Sequence, residues 1–193
     1  MKRLDQLKKH LRPGQVYRRA DLAQWSKSVD RHIRQLVEEG VLQKIRNGLY
    51  YCPRFSVFGQ VPPDEHELVR TFLKEDDFLL TSPNAYNALG VGTTQLYNTR
   101  VVYNHRRHGR FTLGGVPFEF RRKPRFPRKL TEEFLLVDLL NNLSELAENP
   151  AAVRERARAK AKTLDATKLR KAARDYGKVA TRKFLDQVLA HAG

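Results

Sequence analysis

The sequence contains a single cysteine, Cys52, so the chain can form no internal disulfide and no thiolate zinc cluster. Apolar runs are short: none approaches the ~18 residues that a membrane-spanning helix needs. The opening residues Met1, Lys2, Arg3, Leu4 and Asp5 lead into no signal-peptide core. A reducing cytoplasm and no membrane association are therefore expected. Acidic residues are scarce beside basic ones: 21 Asp and Glu face 37 Lys and Arg, a net charge of +16. A surface that basic attracts polyanions at long range, nucleic acid foremost. What is present is enough for a core. The chain has 193 residues, 40% of them apolar, which excludes wholesale disorder and leaves room for a small domain beside a medium one.

The positive charge is densest at the start. Residues 1–60 hold 13 basic and 5 acidic groups, whereas residues 131–193 hold 12 and 9. In that first segment Leu4, Leu7 and Leu11 recur at helical spacing, and Pro13-Gly14 stops the helix. Gln15-Val16-Tyr17 reads as extended, and a second helix is expected from Arg19 to Trp25. Ser28 is a suitable N-cap for a third, Val29 to Glu39, whose Val29, Ile33, Leu36 and Val37 form one apolar stripe. Gly40 closes it. Val41–Arg46 and Leu49–Tyr51 then flank Asn47-Gly48, a pair suited to a type I′ hairpin turn. Helix, turn, striped helix and hairpin is the order of a winged helix-turn-helix, assigned to residues 1–55.

Residues 56–193 read as a second domain, mixed α/β with a helical C-terminus, which makes the fold α+β. Residues 54–64 are expected to be a linker that packs its aromatics. A helix from Asp64 to Lys74, a buried strand Phe78–Thr81, and a short helix opened by Ser82-Pro83 follow. Arg100–Tyr103 reads as a strand, and Arg110–Leu113 with Val116–Phe120 as a hairpin about Gly114-Gly115. After Thr131 the apolar positions Phe134, Leu135, Val137, Leu139, Leu140 and Leu143 predict a helix, with two or three more behind it.

Opposite the apolar stripe of the third helix lie Lys27, Arg31, Arg34, Gln35 and Glu38. Two arginines one turn apart on an exposed face can reach base edges, and Arg is the usual bidentate reader of guanine. Ser26, Lys27 and Ser28 stand at the helix N-terminus, where free N–H groups suit a phosphate. Lys44, Arg46 and Asn47 lie on the hairpin as a wing, and Arg18 and Arg19 open the second helix. Together these residues point to duplex DNA as the partner.

The stretch from Arg19-Ala20-Asp21-Leu22-Ala23 through Leu36-Val37-Glu38-Glu39-Gly40-Val41-Leu42-Gln43-Lys44-Ile45-Arg46-Asn47-Gly48-Leu49-Tyr50-Tyr51 resembles the N-terminal winged helix of the AbiEi family. The likeness runs on through Phe58-Gly59 and Pro62-Pro63 and into Thr81–Gly90, about two thirds of the chain. That family comprises antitoxins of type IV toxin–antitoxin systems. The resemblance implies a repressor of its own operon, and a C-terminal domain that opposes a nucleotidyltransferase-type toxin without a stable complex. It also implies DNA-facing roles for Lys27, Ser28, Arg31, Arg34, Lys44 and Arg46. One departure is visible: family wings often carry more than one arginine beside the glycine, whereas Asn47 separates Arg46 from Gly48 here.

Other constellations read as structure. His105 and His108 flank two arginines, which repel a cation; Glu75-Asp76-Asp77 is a polar junction before a buried strand; Gly90–Thr94 lacks the lysine of a phosphate loop. Cys52 has no histidine near it in sequence and reads as packing. No cofactor, metal or catalytic residue is therefore expected. Arg121, Arg122, Lys123, Arg125, Arg128 and Lys129, with Phe126 among them, offer secondary nucleic-acid contacts, or an RNA-binding segment as the main alternative. A nucleic-acid-processing enzyme would need a divalent-ion cluster that the sequence does not assemble.

Overall fold

The computed structural model describes residues 3–190. It divides the chain into two units, Met1–Asp76 with Phe111–Pro117, and Asp77–Arg110 with Phe118–Gly193.

The first unit opens with α1 (Arg3–His10), β1 (Val16–Arg18), α2 (Arg19–Ala23) and α3 (Val29–Glu38), then β2 (Gln43–Arg46) and β3 (Leu49–Tyr51). The strands form one antiparallel sheet in the order β1-β3-β2. This is the winged helix-turn-helix that the apolar spacing predicts. Leu7 of α1, Leu22 of α2, Val29, Ile33 and Leu36 of α3 and Leu42 after it are all buried together. Each such burial contributes on the order of 1.5–3 kcal/mol, which is what holds short helices that are marginal alone.

The wing turn differs from the expected type I′ geometry. That turn needs two residues at positive φ, but among the described residues Lys74 is the sole non-glycine there; only Gly48, at φ 76°, supplies it. A register shift between Lys44 and Arg46 accommodates the hairpin instead.

Residues 54–64 are not a linker with packed aromatics. They form a second hairpin, β4 (Arg54–Ser56) on β5 (Gly59–Val61), antiparallel with Ser56 opposite Gly59. Ser56 Oγ accepts from the Phe58 N–H and donates to the Gly59 carbonyl, and Gly59 takes φ 105°, a conformation costly to other residues. Its aromatics point to solvent. The unit continues into α4 (Glu65–Leu73), where the Asp64 carboxylate caps the helix by accepting from Glu67 N–H.

A mixed sheet is formed by β6 (Phe78–Thr81), β7 (Arg100–Asn104), β8 (Gly109–Leu113) and β9 (Val116–Arg122), in the order β6-β7-β9-β8. β6, β7 and most of β9 belong to the second unit, whereas β8 falls mostly in the Phe111–Pro117 segment grouped with the first. β6 runs antiparallel and β9 parallel to β7. Gly114 and Gly115 join β8 to β9, and a 3-10 helix spans Pro83–Leu89. Four helices close the chain: α5 (Glu132–Asn142), α6 (Pro150–Ala161), α7 (Ala166–Tyr176) and α8 (Val179–Ala190). α5 is buried from Phe134 through Leu139 and is apolar nearly all round, as a central helix must be. Thr131, Asn149 and Asp165 cap α5, α6 and α7 through their side-chain oxygens. The whole is α+β with a helical C-terminus. No helix among the described residues is long and apolar enough to cross a membrane.

Candidate nucleic-acid interface

α3 presents two chemically distinct faces. Val29, His32, Ile33 and Leu36 are buried, whereas Arg31, Arg34, Gln35 and Glu38 are exposed, with Lys27 exposed just before the helix. Among the described residues the side chains of Lys27, Arg31, Arg34 and Lys44 make no hydrogen bond and no close ion pair, although the Arg34 charge helps to lower the Asp30 carboxyl pKa. Asn47 is exposed at the wing tip. These five therefore keep their donors for an external partner.

The other candidates are tied to the protein. The Asp21 carboxylate accepts from the Arg18 backbone N–H at 3.0 Å and from its guanidinium at 3.0 and 3.1 Å, fixing the start of α2. Arg19 donates twice to Asp30 at 2.6 Å and so links α2 to α3; that hydrogen bond holds the Asp30 carboxyl below its ordinary range. Gln35 donates to Glu39 at 2.9 Å. The Arg46 guanidinium sits 5.0 Å from the Phe72 ring centroid and 5.1 Å from that of Phe111. It anchors the wing against aromatic faces, a use that suits its weakly hydrated cation.

Two serine roles change. Ser28 occupies the N-cap of α3 but its side chain makes no capping bond. Its N–H instead donates to Ser26 Oγ at 3.2 Å, and Ser26 Oγ lies 2.7 Å from His32 Nδ1. Ser26 and His32 are both buried, so Ser26 is not available as a phosphate anchor. It braces the turn that aims α3. Ser26→Ala removes an acceptor and strands a buried imidazole nitrogen. We expect a loss of about 1–2 kcal/mol, read as a few degrees in Tm, with duplex affinity of the folded protein unchanged. A fall in affinity with no fall in Tm would reinstate a direct contact.

In the second unit the basic segment from Arg121 to Lys129 does not act as one surface. Arg121 closes β9 and its guanidinium donates to Glu119, Asn142 and Glu145. Burial works against its charge, but the Glu119 hydrogen bond and the neighbouring acidic groups hold its pKa above the ordinary value. Lys123 lies 5.9 Å from the Tyr103 ring centroid. Phe126, the one ring of the segment, is half-buried and stacks on His105 at 4.7 Å rather than standing open to a base. Arg122, Arg125, Arg128 and Lys129 remain exposed.

The same unit holds a buried polar cluster that no sequence pattern announces. Asp138, in the middle of α5, accepts from Tyr86 Oη and Tyr103 Oη at 2.7 Å each and from Asn142 Nδ2 at 3.2 Å. Burial raises the Asp138 carboxyl pKa, and the two tyrosyl hydrogen bonds only partly offset it. Burial and the adjacent carboxylate push both tyrosine hydroxyls up as well. Among the described residues, no group of three or more His, Cys, Asp and Glu is placed to hold a metal ion.

The fold is similar to that of the RV2827C protein from Mycobacterium tuberculosis. The superposition with its crystal structure has a TM-score of 0.58 at 15% sequence identity, and covers 98% of this chain and 75% of that one. At that identity the likeness is one of fold. No protein-family model matches the sequence, and neither does any curated protein.

Proposed function

We propose that this protein is a sequence-specific double-stranded DNA-binding regulator that lays α3 in the major groove and its wing on the adjacent backbone. The observation that carries this reading is the unengaged basic face of α3. Arg31 and Arg34 are exposed on the second helix of a helix-turn-helix whose opposite face is buried, and Lys27 is exposed just before that helix. Exposed basic helices are common, but here the exposed arginines stand on the element that enters the groove in this motif. The net charge of +16 adds long-range attraction to the same polyanion.

The biological setting we propose is that of an autorepressing, cytoplasmic antitoxin in a type IV toxin–antitoxin system, opposing a nucleotidyltransferase-type toxin. Its support is the resemblance of Arg19–Tyr51 and Thr81–Gly90 to the AbiEi family. The binding experiment is a salt series against three probes: the duplex upstream of the protein's own gene, a scrambled duplex and a structured RNA. We expect the native duplex to win by ~10³ at physiological salt. Equal binding of all duplexes, with affinity that only collapses as salt rises, would reduce the basic face to a phosphate attractant. A win for the RNA would replace the reading altogether. The antitoxin role is tested separately, by co-expression with the neighbouring toxin gene; no rescue of growth would remove that role and leave the regulator standing.

A further inference from the structure

The β4–β5 hairpin turns at Val57 and Phe58, the two most exposed large apolar side chains among the described residues, with Phe55 exposed behind them. Phe58 is 98% exposed, Val57 93% and Phe55 70%. Leaving a phenylalanine ring wholly in water forgoes on the order of 1.5–3 kcal/mol of burial, so a tip built from Val57 and Phe58 calls for a partner. The tip is held in shape: Ser56 ties the turn on both sides. The base is held too. Gln60 Nε2 donates to Gln43 Oε1 at 2.7 Å on β2, and Tyr51 Oη donates to the Val61 carbonyl at 2.7 Å beside β3. The hairpin is thus a short rigid arm rooted in the wing sheet.

Charge selects the partner. From Gly40 to Pro63, through both wing strands and both arm strands, the sequence has no acidic residue, while Lys44, Arg46 and Arg54 are basic. An apolar tip on an acid-free, basic stem matches a polyanion with an apolar interior, which is a stacked nucleic-acid duplex. Three-residue strands rise ~10 Å, enough to span the ~7.5 Å depth of a minor groove. A second copy of the chain fits less well. One phenylalanine and one valine at a tip, with Phe55 exposed behind them, bury far less than the ~1,200 Å² of a stable interface.

We propose that the Val57–Phe58 tip enters the minor groove of bound duplex DNA and seats the Phe58 ring against an opened base step. The proposal rests on the duplex-DNA reading above. The ring replaces part of the stacking that opening the step removes, as apolar wedges do in minor-groove binders. Arg54, exposed at the foot of the arm, is then placed for the flanking phosphates.

The test reads the ring directly. Phe58→Trp puts a fluorescent indole at the tip, with the native chain, which carries Trp25 alone, as background. Mixed-sequence duplex DNA at low salt should quench the added emission to less than half, through base contact. Heparin, a polyanion without bases, should leave it unchanged. Phe58→Ala should weaken duplex binding about tenfold with the salt slope and Tm of the native chain, because no cation and no packed group is lost. Binding of duplex with an unquenched indole overturns the proposal, as does equal quenching by heparin. So does a dimer that Phe58→Ala splits in sedimentation, which would assign the tip to a second copy. An indole shifted by anionic phosphatidylglycerol vesicles but not by duplex would assign it to lipid. If the native chain binds no duplex, the DNA reading and this proposal fall together. If the quench persists while Arg31 and Arg34 prove dispensable, the tip contact stands and only the α3 reading falls.

Discussion

If α3 reads duplex DNA as proposed, Arg31→Ala with Arg34→Ala should lower affinity for the preferred duplex by about 100-fold or more and leave Tm unchanged. Each arginine able to grip a guanine edge in bidentate fashion is worth ~1–3 kcal/mol of discrimination, and the pair stands on one exposed face of α3. Neither side chain contributes to packing, so the fold should not register the change beyond about 0.5 kcal/mol. Binding to scrambled duplex should fall far less, since the variant keeps Lys27 and Lys44, the residues proposed to contact phosphate. Lys44→Ala gives the contrasting signature, a uniform loss across sequences and a salt slope shallower by ~1. Competition titrations separate the two. Retention of the native preference by the double arginine variant would mean that α3 does not read sequence.

Asp138→Leu should destabilise the second unit by about 3–5 kcal/mol. The leucine fills the space but leaves the Tyr86 and Tyr103 hydroxyls without the carboxylate they both donate to, and each stranded buried group costs ~1–3 kcal/mol, while the Asn142 amide keeps the Asp138 backbone carbonyl. Asp138→Asn keeps one acceptor and gains a donor that a tyrosine oxygen can take, so its cost should be under about half as large. The comparison also has a pH signature. Burial raises the folded-state pKa of Asp138 above the ~3.9 of an unfolded chain, so between the two values the native state binds the extra proton. Stability from this carboxyl is therefore fully present below that unfolded value and is lost as pH rises through the folded one. Asp30 and Glu39, whose pKa values are lowered by hydrogen bonds from Arg19 and Lys8, act in the opposite sense. Both are common to the two proteins and cancel. Denaturant melts from pH 4 upward should show the native chain losing ground to Asp138→Asn. Parallel profiles would rule out a raised carboxyl at this position.

The elements of the first unit were legible because each is announced locally. The stripe Val29, Ile33, Leu36 and Val37 fixes which side of α3 is buried, and Pro13-Gly14, Gly40 and Asn47-Gly48 punctuate the chain. The same locality explains the misreadings. The β4–β5 hairpin turns at Val57-Phe58, two residues that neither favour positive φ nor avoid burial, and Pro62-Pro63 behind them reads as linker. Ser26 looks like an anchor until His32, six residues on, is seen to take its hydroxyl. Arg46 and Arg121 look like free cations until Phe111, Asn142 and Glu145 arrive from far along the chain. Asp138 sits in a run of leucines where a lone acid gives no hint of two tyrosines, 35 and 52 residues away, that will satisfy it. Exposure of Lys27, Arg31, Arg34 and Lys44 follows from helical and strand periodicity; which basic residues the protein keeps for itself does not.

The order in which the first unit is completed bears on how the chain is made. Phe111–Pro117 groups with Met1–Asp76, although β6 and β7 are translated in between. At ~5–20 residues per second a ribosome has finished the wing several seconds before it delivers the Phe111 ring that flanks Arg46. Once Phe72 has followed, and until Phe111 arrives, the nascent wing has only the Phe72 side of its clamp, and a gene fragment ending at Asp76 would carry that half-built state permanently.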